Sequence, residues 1–192
     1  MLGSDWLILL FLMSFIAELI DSSLGMGYGT ILSPLLISLG FDPLLVVPSI
    51  LASQAAGGLT AAVFHHRFRN VSFKLKSQDS KVVYLVSAVG VIVLISAVLI
   101  AISIPRWILK GYIGLLAIFV GILLLTRMSF RFCWKRLSIF GLISAFNKGL
   151  SGGGFGPVLT GGQLVSGREE KNAIGVTTMA EVPICLMGFL IY

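Results

Sequence analysis

Charged residues are scarce in this sequence of 192 residues. Only 11% of them are Asp, Glu, Lys or Arg, less than half of the roughly 25% that is usual in soluble domains. Hydrophobic residues make up 57% of the chain, and the mean hydropathy is +1.02. A soluble domain of this length would expose much of that apolar surface and aggregate. The composition therefore excludes a water-soluble domain and a disordered chain, and it predicts an integral membrane protein.

Cysteine and histidine are also rare, with two of each. Cys133 follows a basic segment and Cys185 lies in an apolar run, so nothing supports a disulfide or a redox site. His65 and His66 are adjacent, cannot share a helix face and have no carboxylate or Cys at ligand spacing, which favours a structural role at the membrane interface. We expect no metal, no cofactor and no enzymatic activity, because no nucleophile with a base is visible.

The apolar residues form runs long enough for membrane helices, which need about 20 residues each. The chain has room for about six or seven crossings, so the predicted fold is an all-α, polytopic transmembrane helical bundle. One helix is expected to begin at Asp42-Pro43, a helix-start signal. Others are expected over about 82–104, 107–126 and 172–192, while the apolar runs near 5–41 and after 137 are each broken by glycines.

Positive charges mark one side of the predicted bundle. Of the 14 Lys and Arg residues, nine lie in two windows, at 67–81 and 127–136. The apolar segment between the windows is long enough for two crossings, so both windows face the side that the positive-inside rule makes cytoplasmic. Anionic lipid headgroups are a sufficient counterpart for the net charge of +6, and no nucleic-acid partner is implied. The expected location is the inner or plasma membrane of the cell.

The two glycine clusters match each other when the sequence is shifted by 127 positions. GMGYGTIL at 25–32 then falls on GGGFGPVL at 152–159, and GFD at 40–42 falls on GRE at 167–169. The match predicts an internal duplication, a design in which transporters place the substrate site where the repeats meet. The predicted divisions are a first unit at 1–126, a basic cytoplasmic linker at 127–137 and a partial second unit at 138–192. We expect either a truncated second unit or a fragment of a longer protein.

Each glycine cluster has two interpretations. Glycine lets helices pack closely, and it also lets backbone N–H groups turn toward an anion at the start of a half-helix. The path of residues 5–41 is open as well. A single broken crossing gives parallel repeats and a cytoplasmic N-terminus, whereas a returning hairpin gives inverted repeats and an outer N-terminus. Residues 1–5 have no Lys or Arg, which favours the hairpin and does not resemble a cleaved signal peptide.

Ionisable residues inside predicted membrane helices are costly and therefore informative. The shift of 127 positions places Asp21 on Lys148 and Gln54 on Glu181. Asp21 and Lys148 could face each other as a structural ion pair, or Lys148 could attract an anion while Glu18, Asp21 or Glu181 takes up a proton. Further candidate hydrogen-bond donors to the anion are Ser22, Ser23, Asn147 and Ser151.

The motif GMGYGTILSP at 25–34, with GFDP at 40–43, resembles the sulfite exporter TauE/SafE family of membrane transporters. VPS at 47–49, SQA at 53–55 and HH at 65–66 continue the resemblance, and NKGLSGGGFGP at 147–157 looks like that family's second-half signature. The resemblance implies a carrier that exports sulfite or other small sulfur-containing or organic anions, coupled to protons. By resemblance, the pathway would be lined by Gln54 and by residues 25–30 and 147–157, among them Gly25, Gly27, Gly29, Thr30, Asn147, Lys148, Ser151, Gly152, Gly153, Gly154 and Gly156.

A second hypothesis is a membrane scaffold or assembly subunit that does not transport and derives from a truncated carrier. The small residues that suit helix packing and the short second unit motivate it. An intact reading frame beyond Tyr192 would count against it. The sequence leaves the substrate, the coupling ion and the oligomeric state open, a homo-oligomer included.

Overall fold

The computed structural model describes residues 4–25, 27–125, 134–165 and 167–192. Most of the predicted basic linker at 127–137 lies outside these residues. The described residues form helices and no strand: α1 (Ser4–Leu24), α2 (Tyr28–Ser38), α3 (Pro43–Arg67), α4 (Gln78–Ser103), α5 (Arg106–Leu125), α6 (Trp134–Ser151), α7 (Phe155–Val165) and α8 (Glu170–Ile191). Four of these helices, α1, α3, α4 and α8, are long and apolar enough to cross a membrane. The prediction of an all-α, polytopic bundle is confirmed for the described part of the chain.

Local sequence sets where the long helices begin. Helix α3 begins at Pro43, as predicted, and the side chain of Asp42 accepts a hydrogen bond of 3.0 Å from the amide of Leu44. Helix α4 begins at Gln78, four residues before the expected start at 82, because the hydroxyl of Ser77 accepts a hydrogen bond of 3.1 Å from the amide of Ser80. Such caps satisfy N–H groups that a helix leaves free at its start.

Helices α4 and α6 pack closely and run in the same direction. A Cβ atom placed on Gly141 would lie 3.5 Å from Val86, and one placed on Gly149 would lie 2.6 Å from Ala97. Small residues permit this close approach, which supplies the packing energy between helices in lipid. Both helices therefore start at the face of the bundle that carries the basic α3–α4 loop, which we call the basic face.

Helix α8 lies between α3 and α4 and runs opposite to α3. A Cβ atom on Gly175 would lie 3.0 Å from the Cβ of His65, whereas one on Gly188 would lie 2.8 Å from Leu51. The start of α8 thus meets the end of α3 at the basic face. The middle of α8, near Glu181, lies beside the middle of α3.

Helices α6 and α7 form a hairpin that enters from the basic face. A Cβ atom on Gly154 would lie 3.3 Å from Asn147, and one on Gly162, further along α7, would lie 2.8 Å from the ring of Phe140. The two helices are therefore antiparallel. Because α7 has 11 residues, its length of about 16 Å covers about half of a bilayer core.

Helices α1 and α2 form a second hairpin, whose base is at the opposite face. A Cβ atom on Gly27 would lie 3.3 Å from Ile20, and Ala17 shares a buried cluster with Leu32, with Met13 packed at its edge. Helix α2 therefore runs back along α1 and leads to the turn before α3, at the face away from the basic loop. These contacts match the returning hairpin rather than a single broken crossing.

An ion pair anchors the turn that follows each hairpin. At the basic face, Arg168 Nη2 lies 2.8 Å from Asp79 Oδ1, and both side chains are nearly buried. Burial lowers the pKa of Arg168, and Asp79 opposes that shift. At the opposite face, Arg106 Nε lies 2.7 Å from Asp42 Oδ2 in an exposed pair, and the hydrogen bond from Arg106 holds the pKa of Asp42 below its usual value. Each pair ties a hairpin base to the start of α4 or α5.

Removing the acid of the nearly buried Arg168–Asp79 pair should destabilise the protein more than removing the acid of the exposed Arg106–Asp42 pair. We expect Asp79→Ala to lower the free energy of unfolding by roughly 2–3 kcal/mol, because Arg168 would stay nearly buried without its carboxylate. We expect Asp42→Ala to lower the free energy of unfolding by only about 1 kcal/mol. The variant loses an ion pair that solvent screens and one helix cap, and both contributions are small. Thermal unfolding in detergent compares the two variants, and equal losses would contradict the difference in burial.

Candidate functional site

The tips of the two hairpins touch each other inside the bundle. A Cβ atom placed on Gly29 would overlap the carbonyl oxygen of Gly152, and one on Gly153 would lie 2.7 Å from the carbonyl of Gly29. The amide of Gly154 donates a hydrogen bond of 2.9 Å to the hydroxyl of Thr30. Backbone meets backbone at this junction, so three of the glycines predicted as pathway residues, Gly29, Gly152 and Gly153, lie together.

The backbone at both tips has a conformation that suits glycine. Gly25 and Gly152, which correspond in the shift of 127 positions, have φ angles of +67° and +71°. L residues with a Cβ rarely adopt this left-handed region. The chain can therefore end one helix and start the next within a few residues at each tip.

Lys148 is buried beside the junction and is 1% exposed. Its Nζ atom lies 2.5 Å from Glu181 Oε1 and also donates a hydrogen bond to Gln54 Oε1. Gln54 is near the middle of α3 and Glu181 near the middle of α8, so this triad lies at the centre of the predicted membrane thickness. Gln54 and Glu181 correspond in the shift of 127 positions, and they contact the same ammonium group.

Lys148 pairs with Glu181, and not with Asp21, which the sequence left open as a structural partner. Asp21 Oδ1 accepts a hydrogen bond of 3.1 Å from the amide of Tyr28, at the first residue of α2. A carboxylate at this place satisfies a free N–H group and is favoured by the helix dipole. The hydroxyl of Tyr28 in turn donates to Ser53, which precedes Gln54. Asp21 thus organises the first hairpin tip next to the triad.

Glu18 lines a groove between α1 and α3 and makes no hydrogen bond to the triad among the described contacts. Ser22 donates a hydrogen bond of 3.3 Å to Glu18 Oε1, and Glu18 Oε2 is buried with no partner among the described residues. The hydroxyl of Ser23 bonds the carbonyl of Leu19, the local bond that isolated serines often make in helices. Of the predicted anion ligands, Ser22 and Ser23 are exposed and remain away from the hairpin junction.

Asn147 and Ser151 shape the second tip. The hydroxyl of Tyr112 donates a hydrogen bond of 2.5 Å to Asn147 Oδ1. Ser151 accepts a hydrogen bond of 3.1 Å from the amide of Gly153, and its own hydroxyl bonds the carbonyl of Asn147. These residues hold the turn between α6 and α7, and Tyr112 attaches it to α5.

Several buried polar residues near the tips were not singled out from the sequence. The hydroxyl of Thr160 donates to the carbonyl of Gly25, and Gln163 and Thr177 continue that hydrogen-bonded chain toward the basic face. Ser33, which corresponds to Thr160 in the shift, has a buried hydroxyl without a partner among the described residues. The match between the two glycine clusters was the available signal, because both positions carry a hydroxyl four residues after the last glycine of a cluster.

The adjacent histidines have structural contacts at the end of α3. His65 Nδ1 lies 3.1 Å from Asn70 Nδ2, and His66 Nδ1 lies 3.3 Å from the carbonyl oxygen of Val71. Among the described residues, no three His, Cys, Asp or Glu side chains are grouped in a way that could hold a metal ion. Cys185 is a free, buried thiol, and Cys133 lies outside the described residues.

Two opposed helical hairpins, with glycine tips meeting beside a buried Lys–Glu pair, define an integral membrane protein whose polar centre is enclosed by apolar helices. The family model of the sulfite exporter TauE/SafE family matches residues 10–192. The chain therefore belongs to the sulfite exporter TauE/SafE family.

Comparison with curated proteins finds similarity to the "Probable membrane transporter protein YtnM" of Bacillus subtilis (strain 168). The two sequences are 28% identical over 191 residues, which cover 92% of this chain and 61% of that protein. The chain thus spans about three fifths of the length of that relative. No solved structure matches the chain.

Proposed function

We propose that the protein moves small anions, sulfite or other sulfur-containing or organic anions, across the cell membrane together with a proton. Membership of the TauE/SafE family and the similarity to a probable membrane transporter support this proposal. The observation that carries it is the placement of Lys148, a buried cation at mid-depth beside two hairpin tips. Intramembrane ionisable residues are costly and mark transport pathways in many carriers.

The ion pair suggests how an anion and a proton would be coupled. When Glu181 is ionised, its carboxylate pairs with the ammonium group of Lys148, and the pair has no net charge. A proton on Glu181 removes that negative charge, and a monovalent anion that binds Lys148 restores neutrality. Because an uncompensated charge at this depth is costly, each state without net charge is favoured. The anion and the proton would therefore bind and leave together.

We also propose that the chain contains a first unit, at 1–126, and a partial second unit, at 138–192, related by the shift of 127 positions. Reciprocal contacts support this duplication. A Cβ atom on Gly25 would lie 2.8 Å from Ile174, while one on Gly152 would lie 3.6 Å from the Cα of Val47. Gly25 corresponds to Gly152 and Val47 to Ile174, as expected for units that face each other around a two-fold axis. The opposed hairpins favour inverted units.

Flux of radiolabelled sulfite into lipid vesicles tests the proposed coupling. A proton gradient should accelerate uptake by the wild-type protein. Glu181→Gln keeps the size of the side chain but cannot ionise, so we expect anion flux that no longer responds to the gradient. Glu170→Gln, an exposed change at the start of α8, is the matched control and should leave the response intact.

The outcomes separate the parts of the proposal. A Glu181→Gln variant whose flux still follows the proton gradient would exclude Glu181 as the coupling group. Sulfite transport would be contradicted if vesicles that contain the wild-type protein showed no more sulfite flux than protein-free vesicles. If other small sulfur-containing and organic anions also fail, a scaffold without transport activity becomes the better account.

A further inference from the structure

A groove between α1 and α3 has a volume of about 580 Å³. Its walls combine small residues, Gly57 and Ala61, with the polar side chains of Glu18, Thr60 and His65. Lipid tails cannot satisfy these polar groups, and a carboxylate facing lipid is costly. The groove must therefore be filled either by water or by protein.

The position of this groove in the proposed repeat indicates which of the two fills it. Helix α4 of the first unit packs between α6 and α8 of the second unit. It contacts four residues of these helices through Gly90, Leu94 and Ala97. The four residues are Ala145, Gly149, Ile184 and Gly188. Shifted back by 127 positions, they correspond to Glu18, Ser22, Gly57 and Ala61. All four of these line the groove between α1 and α3.

We propose that the groove is the seat of a further membrane-spanning helix, the counterpart of α4. It would cross α1 and α3 as α4 crosses α6 and α8. The proposal rests on the duplication and not on transport, so failure of the flux experiments would leave it standing. The Bacillus subtilis relative has length beyond the matched region in which such a helix could lie.

The walls of the groove specify the chemistry of the occupant. Gly57 and Ala61 let a helix approach as closely as Gly188 lets α4 approach α8. Glu18 Oε2 is buried and has no partner among the described residues, so the occupant must bring a hydrogen-bond donor to that depth. An apolar helix with small residues on one face and one such donor fits both requirements.

Spin-label accessibility tests whether a helix fills the groove. The protein is expressed from its natural gene and placed in lipid nanodiscs. The label is attached at Ala61→Cys in the groove and, as the matched control, at Ile118→Cys on the exposed face of α5. Cys133 and Cys185 are replaced by Ser in both variants. We expect accessibility to oxygen, which concentrates in lipid, to be several-fold lower at position 61 than at 118. We expect accessibility to a water-soluble nickel chelate to be low at both positions.

Three results would overturn the proposal. Oxygen accessibility at 61 equal to that at 118 would show a surface facing lipid, and high nickel accessibility would show an aqueous vestibule. Dipolar broadening between labels at 61 would assign the seat to a second copy of the chain. A second pair of variants avoids the bulk of the label: Ala61→Trp should lower the unfolding temperature and Ile118→Trp should not, whereas equal temperatures would contradict a filled groove.

Discussion

Lys148→Met should abolish anion transport and also destabilise the protein. The change removes the cation from the centre of the bundle and leaves Glu181 buried without its partner. Losing one member of a buried pair typically costs about 3–5 kcal/mol, because the remaining charge is uncompensated. Sulfite flux in vesicles and thermal unfolding in detergent measure the two effects on the same preparation.

The double variant Lys148→Met, Glu181→Gln separates the two roles of the lysine. It removes both charges, so most of the lost stability should return while transport stays absent. Recovery of flux in the double variant would mean that Lys148 serves only as a structural partner of Glu181. A single variant as stable as the wild type would contradict the buried ion pair itself.

Gly29→Ala should disrupt the junction of the hairpin tips. Its Cβ would overlap the carbonyl oxygen of Gly152, and backbone on both sides cannot move aside as a flexible side chain would. Overpacking of this kind typically costs about 1–3 kcal/mol and occasionally more, and we expect the upper end here. The yield of folded protein and its unfolding temperature should both fall, and transport should fall with them.

Gly114→Ala is the matched control, since a Cβ at that position of α5 has no atom within 4 Å. Alanine also favours a helix over glycine by about 1 kcal/mol in water, so no loss of stability is expected. If Gly29→Ala and Gly114→Ala unfold at the same temperature, the tips do not meet as described. If only Gly29→Ala loses stability, the contact between the two hairpins is supported.

Local signals predicted much of the fold. The Asp42-Pro43 start of α3 follows from the capping carboxylate and the fixed backbone of proline, both of which act within a few residues. The glycine clusters predicted interruptions at the positions where α1 and α6 end. The sequence also placed polar residues at corresponding positions of the two proposed units. These features depend on neighbours in sequence or on a simple shift.

The partners of the site could not be predicted in the same way. The shift relates Asp21 to Lys148, but corresponding positions need not be in contact. The shift specifies neither the depth of a side chain in the membrane nor the direction in which it points from its helix. Lys148 meets Glu181 because α6 and α8 both run from the basic face and reach mid-depth together. Tyr112, which contacts Asn147, lies in α5, outside the segments that the shift of 127 positions brings into register. Such contacts follow only from tertiary packing.

The packing of α4 against α6 and α8 has a consequence for biogenesis. Helix α4 is synthesised before both of its partners, and its apolar sequence allows it to enter the bilayer alone. Helix α6 carries Lys148 through the same environment, and its charge is balanced only when Glu181 emerges in α8. Helix α8 is therefore required for the stable insertion of α6, which precedes it, so ribosome-bound chains ending before α8 should hold α6 poorly in the membrane.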